Sequence, residues 1–184
     1  MRGTKEFGSL GHLATRFFGA LWPGGPRRAD ETWARRWLLG GELELWDRMS
    51  GPDRRHAVGV ARGTIELLGD GDDPGRAVVA SALLHDVGKV ESGLGTMARA
   101  VVTAAGLVVG RSRLIEAPGS GGREPRWHRR TRQYLTHDLL GAELLTRAGS
   151  DPLTVAWARQ HHLPSSAWTV DARVAGALKA ADDD

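Results

Sequence analysis

Between Ala77 and Leu84 the chain is almost uninterrupted apolar side chain, and it runs directly into His85-Asp86. This run constrains the fold most, because it delivers an imidazole and a carboxylate to the floor of a protein interior. A buried ionised carboxylate is costly unless something positive compensates it, and a divalent cation is the commonest such compensator. Asp73-Pro74 supplies the start signal of the helix, a cap followed by a proline tolerated at the first helical position. Gly88 is expected to end the helix, and Lys89 places a cation beside the same point.

The remaining segments read as helices that could enclose that one. Asp30 is a candidate cap for a helix carrying Trp33, Trp37, Leu38, Leu43, Leu45, Trp46 and Met49, bent at Gly40-Gly41. Ser50-Gly51-Pro52 opens a helix with Val58, Ile65, Leu67 and Leu68 on its apolar face and His56 in its first turns. Residues 93–109 form another apolar helical stretch that can pack on the core, pair two subunits or touch lipid. From Arg111 to Arg132 seven arginines stand against Glu116 and Glu124, and Pro118 to Gly122 break the backbone, which reads either as a solvated loop or as the phosphate-facing rim of a site. Helical spacing resumes at Tyr134, Leu135, Leu139, Leu140 and Leu144-Leu145, with His137. Asp151-Pro152 starts a helix ending in His161-His162, and a last helix runs from about Val170. No alternating pattern of strand length competes, so the expectation is an all-α bundle.

At 184 residues the chain is long enough for one domain with a real core. Ahead of the domain, expected over 29–184, residues 1–28 read as an amphipathic helix (9–22, with Leu10, Leu13, Phe17 and Leu21) and a Pro-Gly linker. That helix is read as docking on the domain in preference to a membrane surface. The absence of cysteine excludes disulfides, zinc–thiolate sites and thiol catalysis, and leaves His and carboxylate as the strong metal ligands. No secretory signal is read at the N-terminus, and Ala98 to Val109 contains Arg99 and is too short to span a bilayer, so the expected location is the cytoplasm. The formal charge of +3 is modest and the arginine segment offers only Trp127 for stacking, so a nucleic acid is not the expected partner.

Seven histidines are present, at 12, 56, 85, 128, 137, 161 and 162. His56, His85, His137 and the His161-His162 pair each fall near an end of a separate expected helix, with Asp86 and Asp182 among them. Helix-bundle interiors are where imidazole and carboxylate sites for paired metals are built. His12 and His128 fall outside the pattern and are read as surface residues.

A lone His56, the His85-Asp86 doublet 29 residues later and Asp182 in Leu178-Lys179-Ala180-Ala181-Asp182 resemble the H…HD…D signature of the HD superfamily of metal-dependent phosphohydrolases. Thr136-His137-Asp138-Leu139-Leu140-Gly141, followed by His161-His162, is similar to the second half of HD-GYP and cyclic-di-AMP phosphodiesterase domains. Leu163-Pro164-Ser165-Ser166 stands where true HD-GYP domains carry an acidic residue and Gly-Tyr-Pro. The resemblance implies one divalent metal on His56, His85, Asp86 and Asp182, and a second bridged by Asp86 to His137, His161 and His162. Iron or manganese is favoured by the His-rich donor set, with magnesium or zinc as alternatives.

The implied activity is a phosphodiesterase acting on a nucleotide, a cyclic dinucleotide or another phosphorylated small molecule. Asp86 and Lys89 are the catalytic candidates, and Lys89, Arg126, Arg129 and Arg130 the candidates for gripping substrate. Two rivals stay open: a mixed-valence diiron oxygenase related to inositol oxygenase, which uses a similar array of ligands, and a non-catalytic signalling module on the same fold. A homo-oligomer is a further open possibility.

Overall fold

The computed structural model describes residues 24–69, 74–116 and 124–184, and over these it holds ten α-helices and two short 3-10 turns with no strand. The helices are α1 (Arg28–Arg35), α2 (Gly40–Arg48), α3 (Gly51–Leu68), α4 (Arg76–Leu84), α5 (Thr96–Val109), α6 (Arg111–Glu116), α7 (Arg126–Leu135), α8 (His137–Arg147), α9 (Pro152–Gln160) and α10 (Ala172–Asp183). The 3-10 turns are Val87–Glu91, directly after α4, and Ser165–Ala167. The segment expected at residues 9–22, together with His12 and Asp73, lies outside the described residues.

Helix α4 is the axis of the bundle. Val78 to Leu84 are all buried, which a helix apolar around its whole circumference requires. It is flanked by α3 on one side and α9 on the other; α10 closes against α3, and α8 packs on both α9 and the 3-10 turn that follows α4. Trp46, Trp157, Leu145, Leu178, Val79 and Val87 fill the space between these helices. The ends of α3, α4, α8, α9 and α10 therefore converge on one point.

Local start signals explain three helices well. Ser50 Oγ accepts the Asp53 N–H ahead of α3, and Asp151 accepts the Leu153 N–H ahead of α9, each with proline in the first turn. Asp171 does the same for α10, which starts at Ala172 rather than Val170.

Other expectations are corrected. Asp30 lies inside the first turn of α1 rather than at its cap, and takes the Arg62 guanidinium at 2.7 Å. The tryptophan-rich segment is two helices instead of one bent helix: the chain leaves α1 after Arg35, and Leu39, extended at ψ 168°, starts α2 with its N–H donated to the Glu42 carboxylate at 2.8 Å. Pro74 precedes α4 by two residues, and Gly75, at φ 75°, takes the cap position. The arginine segment is not a loop where it is described: it is helical over Arg111–Glu116, and again from Arg126, well before Tyr134. His128 is buried rather than on the surface, with Nδ1 3.0 Å from Glu124.

Gly88 does not terminate α4, which ends at Leu84. It sits within the following 3-10 turn, where the start of α8 crosses the backbone. A Cβ there would lie 2.6 Å from the Gly141 nitrogen and 2.8 Å from the His137 carbonyl carbon, and closer still to the His137 carbonyl oxygen. Glycine is needed here for close approach of two backbones, and that approach sets how near His137 comes to Asp86.

Candidate metal centre

Each imidazole is aimed by the end of its helix. His85 caps the C-terminus of α4 with Nδ1 2.9 Å from the Ala82 carbonyl, and His161 caps α9 with Nδ1 2.9 Å from the Ala158 carbonyl. His137, at the start of α8, has Nδ1 2.7 Å from the Tyr134 carbonyl. A carbonyl oxygen can only accept, so Nδ1 carries the hydrogen in all three, and each Nε2 is turned to the centre of the bundle. A backbone carbonyl that fixes tautomer and ring orientation is the support metal-ligating histidines normally have.

The Nε2 atoms converge on Asp86, whose backbone at φ −98°, ψ 6° lies between helix and turn. Its two carboxylate oxygens face different neighbours. Oδ1 is 3.1 Å from His137 Nε2 and 3.8 Å from His161 Nε2; Oδ2 is 3.4 Å from His85 Nε2 and also contacts Lys89 Nζ. Asp182, in the last turn of α10, puts Oδ1 3.1 Å from His56 Nε2 and 3.5 Å from His85 Nε2. His162 Nε2 approaches His137 Nε2 to 3.2 Å.

Two groups of donor atoms result, each with all atoms within 4.8 Å of one another: His56, His85 and Asp86, and Asp86, His137, His161 and His162. Asp86 belongs to both. His56, His85, Asp86, His137, His161, His162 and Asp182 are thus brought together as the sequence placed them. Asp182 joins through His56 and His85.

The electrostatics fit a cation site. Burial opposes ionisation of Asp86, yet Lys89 and the neighbouring imidazoles hold its carboxyl well below the usual carboxylate range. Burial likewise opposes the Asp182 carboxyl, and His56 and His85 hold it low. Burial disfavours charge on His85 too, but the Asp86 and Asp182 carboxylates outweigh it and raise the pKa to about 10. Burial and the neighbouring imidazoles push His161 and His162 down to about 3, so both are neutral and keep their lone pairs at physiological pH. Two carboxylates are balanced by the positive charges of His85 and Lys89, and a bound cation would take the place of the His85 Nε2 proton.

The Nε2 atoms of His85 and His161 are buried with no hydrogen-bond partner. A pair of orphaned ring nitrogens aimed at a shared carboxylate is what a nitrogen- and oxygen-binding cation would satisfy, so the residues present fit one.

The arginines are distributed differently from expectation. Arg126, Arg129 and Arg130 are exposed on α7, where Arg126 and Arg130 line an open hollow of about 710 Å³ with Leu94 and Trp127. The arginine that reaches toward the histidines is Arg111. It donates to the Leu135 carbonyl and pairs with Asp138 at 3.1 Å, and its charge contributes to keeping His162 neutral. Tyr134 also enters the site, its ring stacked on His137 at 5.8 Å between centroids. Nothing in the spacing pointed to Arg111, whose partner lies 27 residues away; Tyr134 stood three residues before His137, the offset at which its carbonyl receives Nδ1.

The molecule is an all-α bundle with a buried cluster of His and Asp side chains able to hold a metal ion. No family model, no curated protein and no solved structure matches the chain. Among the described residues no single helix is long and apolar enough to cross a membrane.

Proposed function

We propose that the chain is a metal-dependent phosphohydrolase of the HD type, cleaving a phosphodiester in a nucleotide or cyclic dinucleotide. One observation carries this reading: the Asp86 carboxylate is divided between two sets of donors, Oδ2 toward His85 and Oδ1 toward His137 and His161. A carboxylate so placed would serve two cations at once. His56, His85, Asp86 and Asp182 would hold the first cation and Asp86, His137, His161 and His162 the second, with iron or manganese favoured. When bound, such a pair supplies an activated water and neutralises phosphoryl oxygens.

The chain's own residues prepare the rest. The carbonyls of Ala82, Tyr134 and Ala158 lock three imidazoles, so little reorganisation is left for the moment of binding. Lys89 is half-buried at the mouth of the centre, and its ammonium lies on Asp86 Oδ2. From that position its ammonium would neutralise a non-bridging phosphate oxygen of a bound substrate. Arg111, tethered by Leu135 and Asp138, places a second positive charge on the His162 side. Two cationic side chains on separate sides of the centre suit a substrate that carries two phosphates, as a cyclic dinucleotide does.

The test is metal analysis of the purified protein, followed by assays of bis(p-nitrophenyl) phosphate and of cyclic dinucleotides with iron or manganese under exclusion of air. Turnover without dioxygen is expected, together with loss of bound metal and at least a hundredfold loss of rate in Asp86→Asn. Turnover that demands dioxygen would replace this reading by the oxygenase. Bound metal with neither activity would leave a non-catalytic module.

A further inference from the structure

Helix α5 has the composition of a core helix and none of its burial. Arg99 is the one charged residue in its fourteen, yet no residue of the helix is buried. At 100° per residue Met97, Val101, Ala104 and Val108 fall on a single stripe. Met97, Val101 and Val108 are 58%, 66% and 86% exposed, and Leu107 beside them is 84% exposed. The opposite flank is held down: Arg99 bonds both oxygens of Asp53 and reaches the Lys89 carbonyl, and Thr103 bonds the Tyr134 hydroxyl. The helix is therefore anchored with its apolar stripe facing outward.

The helices that follow α5 carry basic and aromatic side chains. Arg113, Arg126, Arg129 and Arg130 are exposed on α6 and α7, which follow α5 in the packing order. Trp127 is 67% exposed, and the hollow it forms with Leu94, Arg126 and Arg130 opens beside the N-terminal end of α5.

We propose that α5 lies in the surface of an anionic lipid bilayer, with the Arg126–Trp127–Arg130 hollow at its edge receiving phosphate headgroups. An outward apolar stripe, flanking arginines and an interfacial tryptophan are the features by which a helix rests in the headgroup region. At fourteen residues α5 is about 21 Å long, too short to cross the hydrocarbon core. A second copy of the chain is a poorer occupant. One helix face of this length offers well under the roughly 800 Å² per partner of a stable interface, and two-fold pairing would set the same arginines against each other. Because the inner flank of α5 bonds Lys89 and Tyr134, docking would hold the His/Asp centre within about one helix diameter, ~10 Å, of the lipid surface.

The experiment is co-sedimentation of the full chain with vesicles of phosphatidylcholine alone or mixed with phosphatidylglycerol, at low and high salt. Binding to the mixed vesicles is expected, weakened about tenfold by high salt or by omission of the anionic lipid. Val108→Glu and Leu107→Glu should each weaken it about tenfold at unchanged melting temperature, since both side chains are exposed. Arg126→Glu should erase the preference for anionic lipid. Should either glutamate variant melt early, Val108→Ser and Leu107→Ser carry the same comparison. Binding that persists in all the α5 variants belongs to another part of the chain and overturns the proposal. So does absence of vesicle binding, including the case of a dimer in solution that Val108→Glu dissociates.

Discussion

Helices α4 and α5 are almost interchangeable as sequences, RAVVASALL against TMARAVVTAAGLVV, yet one is enclosed from Val78 to Leu84 and the other buries nothing. The difference lies in what the neighbours offer. α4 has α3 and α9 on its two sides and ends where α8 crosses, whereas α5 is followed by the short α6 and the polar α7, which cover only its inner flank. Apolar composition selects a helix and asks for cover, and it leaves open whether the cover comes from this chain. In α4 it comes from the fold, and the helix can then carry His85 and Asp86 into a dry site. In α5 it does not.

The sharpest way to break this contrast is to remove the same leucine side chain from both. Leu84→Ala should cost about 2–5 kcal/mol, because Leu84 is fully buried and its loss leaves a cavity. Leu107→Ala, at 84% exposure, should stay within about 0.5 kcal/mol. Denaturant melts of the two variants check this, and comparable losses would mean that α5 is packed in solution. Next in size is Gly88→Ala. The added methyl meets only backbone atoms of α8, so the crossing must open, at about 1–3 kcal/mol for overpacking of this kind. The same shift carries His137 away from Asp86, so second-site metal occupancy should fall along with the melting temperature.

The sequence made most of the centre legible, since side chains at helix ends converge when the helices themselves pack as a bundle. His56, His85, His137 and His161 could be placed because each stood near a cap, a proline or a break in periodicity, and Asp182 because it completes the H…HD…D pattern. Less legible was whatever depends on where one helix crosses another. Gly88 reads as a helix stop because glycine so often is one, and only the passage of α8 over it reveals its use. Arg126, Arg129 and Arg130 stood out for their density, but density says nothing of direction, and it is Arg111 that turns inward toward Asp138. His128 looked like a surface residue in a loop, until the start of α7 at Arg126 put it on an inward face.

The centre should also betray itself in the pH dependence of the metal-free protein, where α5 has no counterpart to add. Buried His161, held near 3, binds a proton in the unfolded chain below about 6.5 and not in the folded one, so stability falls as pH drops through that window. Asp86 and Asp182, held low, add a further loss in more acidic solution. His85, raised to about 10, acts in the opposite sense: its contribution is complete below 6.5 and is lost as pH rises toward 10. The melting temperature in a chelator should therefore peak near neutrality. A bound cation takes the His85 lone pair, so added metal should flatten the alkaline side, and identical profiles with and without metal would remove His85 from the ligand set.

The smallest expected effect tests the outer helix with the same type of substitution that damages the turn after the inner one. Gly106 lies within α5 at negative φ, and a Cβ there would meet only the Leu114 side chain, at an ordinary 4.0 Å. Gly106→Ala should therefore stabilise α5 by about 0.5–1 kcal/mol through lower backbone entropy in the unfolded state and better helix propensity. The gain belongs to a helix that can open without the core opening, so it should appear as slower amide exchange across residues 96–109, with little change in global melting. A matching rise in the global melting temperature would mean that α5 unfolds together with α4, and that the two helices differ in exposure without differing in cooperativity.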